Sequence, residues 1–139
     1  MKPIKVALVG NPNSGKTSLF NQLTGLNQKV ANFPGVTVDK KIGNTKFGNQ
    51  QFEILDLPGT YSLYPKSLDE QVVADVLLNP KSENFPDVCL VTVDATNLRR
   101  HLLLLTQIID LGIPTILVAD ILNEHDDLIK QIIHSFERF

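Results

Sequence analysis

One octapeptide constrains the fold of this chain more than any other feature. Ile4 to Val9 is a short apolar run ending at Gly10, and Leu19, Phe20 and Leu23 then recur at helical spacing until Gly25. Between the two stands Gly10-Asn11-Pro12-Asn13-Ser14-Gly15-Lys16-Thr17: glycine, four residues, glycine, lysine, threonine. A buried strand, a glycine-rich turn and a helix in this order bring backbone N–H groups and a helix N-terminus to one point, an arrangement that suits phosphate oxygens. Lys16 is then placed to reach the β- and γ-phosphates, and the Thr17 hydroxyl to bind Mg²⁺. A turn without a ligand has no packing use for a lysine and a threonine at those positions.

The remaining chain alternates in the same way. Residues 26 to 38 carry Gly, Pro and Asn without periodicity and read as a loop, followed by strand candidates near 39–47 and 51–56 joined by Gly48-Asn49 as a hairpin turn. Ser67 and Glu70 have capping-box spacing ahead of a helix whose apolar face is Val72, Val73, Val76 and Leu77, ended by Asn79-Pro80. Val88 to Val93 is a buried-strand run, and Leu98, Leu102, Leu105 and Ile109 form a helical stripe closed by Gly112. Thr115 to Ala119 is another apolar run, and Ile129, Ile132, Ile133 and Phe136 mark a last helix capped by Asp126 or Asp127. The expected class is α/β: a mostly parallel sheet with helices on both faces and ligands at the carboxyl ends of the strands.

Composition narrows the partners. With 139 residues the chain suits one domain, residues 1–139. Lys and Arg number 13 against 15 Asp and Glu, a net charge of −2 with no basic run, which argues against a nucleic-acid partner. A single cysteine allows no internal disulfide, and the N-terminus leads directly into a strand run rather than a secretory segment, so the reading is cytoplasmic. The most apolar stretch, Leu102 to Leu122, is interrupted by Gln107, Asp110, Gly112, Pro114 and Asp120, so no transmembrane segment is expected.

Two further segments fit nucleotide chemistry once the phosphate loop is in place. Asp56-Leu57-Pro58-Gly59 follows a strand, where a carboxylate can hold the metal through water and a glycine N–H can meet the γ-phosphate. By itself Asp-x-Pro-Gly is an ordinary turn. In Asn32-Phe33-Pro34-Gly35-Val36-Thr37-Val38 the one well-placed hydroxyl is Thr37, suited to complete a metal shell only when γ-phosphate is present.

Together, Gly-Asn-Pro-Asn-Ser-Gly-Lys-Thr, Asn-Phe-Pro-Gly-Val-Thr-Val and Asp-Leu-Pro-Gly-Thr-Tyr-Ser-Leu resemble the cytosolic GTPase domain of FeoB, the bacterial ferrous iron transporter, over about residues 4 to 119. The resemblance implies a P-loop nucleoside triphosphatase fold and a GTP/GDP switch. Gly10 to Thr17 would lie on the phosphates, Gly35, Val36 and Thr37 in the first switch loop, and Asp56, Leu57, Pro58 and Gly59 in the second. It further implies Mg²⁺ on Thr17, Thr37 and, through water, Asp56, and K⁺ beside Asn13. Lys16, Thr37 and Gly59 would be the residues acting on the γ-phosphate. Thr60 stands where many GTPases place a water-orienting glutamine, so intrinsic hydrolysis should be slow. A membrane iron-transport component is the implied partner.

The chain departs from the family pattern near its end. Guanine is read in the family by Asn-x-x-Asp after the strand that is here Thr115 to Ala119, but the expected place holds Asp120-Ile121-Leu122-Asn123. Asn123 offers one acceptor where guanine presents two donors, which should weaken base selectivity. A literal Asn-x-x-Asp occurs three residues on, at Asn123 to Asp126, where Asp126 is also the cap of the last helix. The final strand and base-contacting loop of the family domain are expected to be absent, as are the helical regulatory and membrane domains, leaving Thr115–Ala119 as a sheet edge. The alternative to a working switch is a nucleotide-binding or interaction module with altered base specificity and little turnover.

Other residues have plainer readings. Cys89 lies in a buried run and reads as a small core hydrophobe. His101, His125 and His134 lack metal-ligand spacing, and Arg99 and Arg100 read as a solvated face. Phe33 and Tyr61 serve either partner contact or packing of one switch loop on the other.

Overall fold

The structure, a computed structural model, describes residues 2–119. Asp120, Asn123, His125, Asp126, Asp127, His134 and the last helix expected from sequence lie outside the described residues.

Among the described residues six strands and three α-helices follow in the order β1 Ile4–Gly10, α1 Lys16–Thr24, β2 Gln28–Asn32, β3 Asp39–Phe47, β4 Gln50–Asp56, α2 Leu68–Leu77, β5 Val88–Val93, α3 Leu98–Asp110 and β6 Thr115–Ala119. One sheet orders them β2-β3-β4-β1-β5-β6. The β4-β1-β5-β6 part is parallel, while β2-β3 and β3-β4 are antiparallel, so the sheet is mixed about a parallel centre.

Strand alternation divides the core between two faces. Val6 and Leu8 pack with Leu19, Phe20 and Leu23 of α1 and with Ile54 and Leu90. Ala7 and Val9 point the other way and pack with Val72, Val73, Val76 and Leu77 of α2 and with Leu104 and Ile108 of α3. β5, flanked by β1 and β6 and covered on both faces, is buried at all six residues, which accounts for its unbroken apolar run. Cys89 belongs to this core, and burial pushes its thiol pKa up to about 12.

Three local readings need correction. Residues 28–32, expected as loop, form the edge strand β2; four of its five side chains are exposed, so no alternation of apolar residues marks it. In α3 the buried face is His101, Leu104 and Ile108, whereas Leu98, Leu102 and Ile109 are exposed and Leu105 is half-buried. That helix carries leucine or isoleucine on several faces, so the apolar stripe alone could not orient it. Lastly, Ser67 Oγ accepts from Glu70 N at 3.2 Å as a cap should, but the Glu70 carboxylate turns to Thr60, Tyr61 and Lys66 instead of closing the box.

Close packing of α1 on the sheet depends on Gly43 in β3. A Cβ there would lie 2.2 Å from Thr24 Cγ2, so α1 can sit on this strand only because the side chain is missing. The contact seats the C-terminal end of α1 directly on β3.

Candidate functional site

The turn between β1 and α1 has the backbone of an anion cradle. Asn13 is left-handed at φ 63°, unusual for a side-chain-bearing residue, and Gly15 follows at φ 85° as the N-cap of α1. No side chain caps that helix, so its first N–H groups point outward without a side-chain acceptor. The turn is pinned from below. Ser14 Oγ and Thr92 Oγ1 of β5 share a hydrogen bond at 2.7 Å, and Asn11 Nδ2 donates to Arg100 O at 3.0 Å. Gly10 admits no side chain, since a Cβ would lie 2.3 Å from Thr92 Oγ1.

Lys16 and Asp56 meet at the centre. Lys16 Nζ donates to Asp56 Oδ1 at 2.5 Å, with Lys16 9% and Asp56 6% exposed. Asp56 ends β4, next to β1 in the sheet, so parallel pairing carries its carboxylate to the first turn of α1. The following loop is tied to the end of β1 by Leu57 N donating to Leu8 O at 3.2 Å and Thr60 N to Gly10 O, the first residue of the phosphate loop, at 3.0 Å.

Two adjoining cavities open here. The first, ≈ 410 Å³, is bounded by Lys16, Thr17, Thr37, Asp56, Leu57, Pro58 and Gly59, and also by Val38, Asp39, Lys41 and Asp69. The second, ≈ 400 Å³, runs along Asn11, Pro12, Asn13, Ser14 and Gly15 and shares Lys16, Thr17 and Gly59 with the first. Most residues expected from sequence are thus gathered around one opening. Gly35 lines neither cavity, and Val36 packs toward the core and borders a separate groove beside Phe33 and α2. Asp39, Lys41 and Asp69 were not anticipated.

The second loop is braced from behind. Thr60 is fully buried, with Oγ1 2.7 Å from Ser62 O and 2.9 Å from Glu70 Oε2, two acceptors for one hydroxyl proton. Glu70 also accepts from Tyr61 N at 3.3 Å and Lys66 N at 3.1 Å. The Thr60 bond is the largest cause holding the Glu70 pKa below the ordinary glutamate value, with the backbone bonds and the Lys66 charge adding to it. Phe33 is buried among Val38, Leu63 and Val72, so it packs the first loop rather than presenting a contact surface; Tyr61 is half exposed.

His101 secures α3 near the cradle. It is buried, and Nε2 accepts the Asp94 backbone N–H at 3.1 Å, which requires a neutral ring at that nitrogen. Burial lowers its pKa below the ordinary 6.5; the Arg100 charge adds to this and Asp94 opposes it. The unfolded chain therefore takes up the proton first as pH falls. His101 contributes its full stabilisation above about pH 6.5 and loses it as pH drops through the lower folded pKa. The denaturant midpoint is expected to fall between pH 7 and pH 5.5, and to fall less in His101→Gln, whose amide oxygen can still accept from Asp94. Parallel pH profiles for the two proteins would contradict this assignment. Among the described residues no cluster of three or more His, Cys, Asp or Glu is placed to hold a metal by itself.

A phosphate cradle between the first strand and first helix, with a carboxylate at the end of the neighbouring parallel strand, defines a P-loop nucleoside triphosphatase fold. Residues 4–135 match the family model described as ferrous iron transport protein B, and the chain belongs to that family. The Fe(2+) transporter FeoB of Leptospira biflexa is 53% identical over 118 residues, covering 85% of this chain and 17% of the relative. The chain thus spans about one-sixth of the length of that curated relative. The G domain of T. maritima FeoB superposes with a TM-score of 0.81 at 39% identity, over 97% of this chain and 82% of that one. An S. thermophilus NFeoB mutant bound to mGDP gives 0.79 at 48% identity, over 91% and 46%. Among the described residues no helix is long and apolar enough to cross a membrane.

Proposed function

We propose that this chain is a GTP-binding switch domain that hydrolyses GTP slowly and serves a ferrous iron transporter at the cytoplasmic face of a membrane. The observation that carries the reading is the meeting of Lys16 and Asp56 within a cavity that also collects Thr17, Thr37 and Gly59. Membership of the ferrous iron transport family and the mGDP named for a structural relative support guanine nucleotide as the ligand.

In this reading the N–H groups of residues 10–17 hold the phosphates, and Lys16 turns from Asp56 to the β- and γ-phosphate oxygens. The donor set fits a hard divalent cation: the Thr17 and Thr37 hydroxyls and the Asp56 carboxylate would hold Mg²⁺, which neutralises charge on those oxygens when bound. Thr37 engages only with γ-phosphate present, so its loop reports which nucleotide is bound. Gly59 offers its N–H to the same group. The Thr60 hydroxyl is engaged by Glu70 and Ser62, so it supplies no base for the attacking water, and turnover is slow. Asn13, exposed at the rim, would hold K⁺, a cation that would supply stabilisation of transition-state charge. Asp120 and Asn123, with the residue types of Asn-x-x-Asp exchanged, would lower guanine selectivity.

Phosphate release from Mg·GTP, followed in KCl and in NaCl, tests this. Slow release that is several-fold faster in K⁺ is expected. Equal rates would remove the Asn13 role, and no release in either salt would remove hydrolysis.

A further inference from the structure

The two-residue turn at Gly48-Asn49 sets the register of β3 on β4, running from Phe47 opposite Gln50 to Lys41 opposite Asp56. Directly opposed residues in an antiparallel pair share a face, with Cβ atoms about 4.5–5.5 Å apart. That face is the α1 side of the sheet: Ile54, two residues before Asp56, packs with Leu19 and Leu23, and Gly43, two residues after Lys41, lies under Thr24. Lys41 borders the same cavity as Lys16, Thr17 and Asp56. Its other cross-strand neighbour is Val30, which is 62% exposed and uncharged. Among the described residues the one ion pair within 4.0 Å is Lys16–Asp56, so Lys41 is an uncommitted cation beside a carboxylate already held by another lysine.

When nucleotide phosphates bind, Lys16 leaves that carboxylate. A carboxylate only 6% exposed and stripped of its cation is costly, because the little water that reaches it from the cavity compensates it only in part. We propose that Lys41 is a positioning residue that takes over from Lys16 as the cation facing Asp56, so that Lys16 is free to hold phosphate. This rests on the nucleotide-binding reading and assigns it a second lysine. The exchange moves no bond; it replaces one ammonium by another around a carboxylate that stays ionised.

The relay has a signature that general electrostatic attraction lacks. When Mg²⁺ and its water shell compensate Asp56, Lys41 is redundant; without Mg²⁺ it is the available cation. GDP binding by the full chain is measured calorimetrically in excess EDTA and in millimolar Mg²⁺ for wild type, Lys41→Met, Lys41→Gln and Lys41→Arg, with a melting curve for each. Lys41→Met and Lys41→Gln are expected to weaken binding about tenfold in EDTA and about threefold or less in Mg²⁺, with Lys41→Arg near wild type in both. The glutamine variant keeps the test open if the methionine variant folds poorly. Equal losses in EDTA and Mg²⁺, or no loss in either, would overturn the relay while leaving nucleotide binding intact. Wild type that bound no GDP under either condition would overturn the nucleotide reading and the relay with it.

Discussion

Lys16→Ala is expected to remove nucleotide binding and to lower the stability of the protein at the same time. The first effect follows from the proposed ligand: a lysine on phosphate oxygens makes charge-assisted hydrogen bonds of about 1.5–3 kcal/mol each, so losing them weakens GTP by roughly a hundredfold or more. The second follows from the pair itself. Asp56 is 6% exposed and Lys16 is its ion-pair partner, so truncation leaves a nearly buried carboxylate without its cation. Breaking a buried pair from one side costs about 3–5 kcal/mol, and here Lys41 and the water of the adjoining cavity offset part of that, so a loss nearer about 2 kcal/mol is expected. Adding Asp56→Asn removes the stranded charge, so the double variant should recover stability without recovering binding. That opposite movement distinguishes the pair from a general folding defect. A Lys16→Ala protein that bound GTP as wild type does would contradict the phosphate-loop assignment.

Gly59→Ala is expected to separate binding from turnover. A Cβ at this position would lie 2.9 Å from Pro12 Cα and N, both backbone atoms that cannot step aside as a flexible side chain could. The loop is also held by Leu57 N on Leu8 O and Thr60 N on Gly10 O, so it cannot lift without breaking hydrogen bonds to β1. The substitution therefore moves residue 59 away from where its N–H would meet γ-phosphate. Loss of one such donor reduces hydrolysis on the order of a hundredfold. GDP, which lacks that phosphate, should bind within about fivefold of wild type, and the overpacked contact should cost about 1–3 kcal/mol in stability. Hydrolysis unchanged in Gly59→Ala would show that this backbone position takes no part in the reaction.

The parts of the site legible in sequence are those carried by consecutive residues. The phosphate loop and Asp56 to Gly59 each need a short string of residue types in order, so both could be read before any folding was known. The parallel centre was legible for a similar reason, because strands buried on both faces must be continuously apolar, as β5 is. β2 was not, since an edge strand with exposed side chains leaves no alternation to find. The orientation of α3 was not, since its apolar residues exceed the face that the core accepts. Lys41 falls between these cases. Its side chain matters only through a partner fifteen residues away, yet counting back from Gly48-Asn49 places it opposite Asp56. Glu70 shows the converse: its spacing from Ser67 promised a full capping box, and while Ser67 does cap the helix, the Glu70 carboxylate goes to the second loop.

The central claim is that Lys16, Asp56 and the loops around them form a guanine nucleotide site. Competition binding tests it most directly, with GTP, XTP and ATP each titrated against the full chain preloaded with fluorescent GDP in millimolar Mg²⁺. Displacement by GTP and more weakly by ATP, with XTP approaching GTP because Asp120 and Asn123 exchange the usual base-reading types, is the predicted result. Displacement by ATP as readily as by GTP, or no fluorescent GDP bound at the outset, would contradict it.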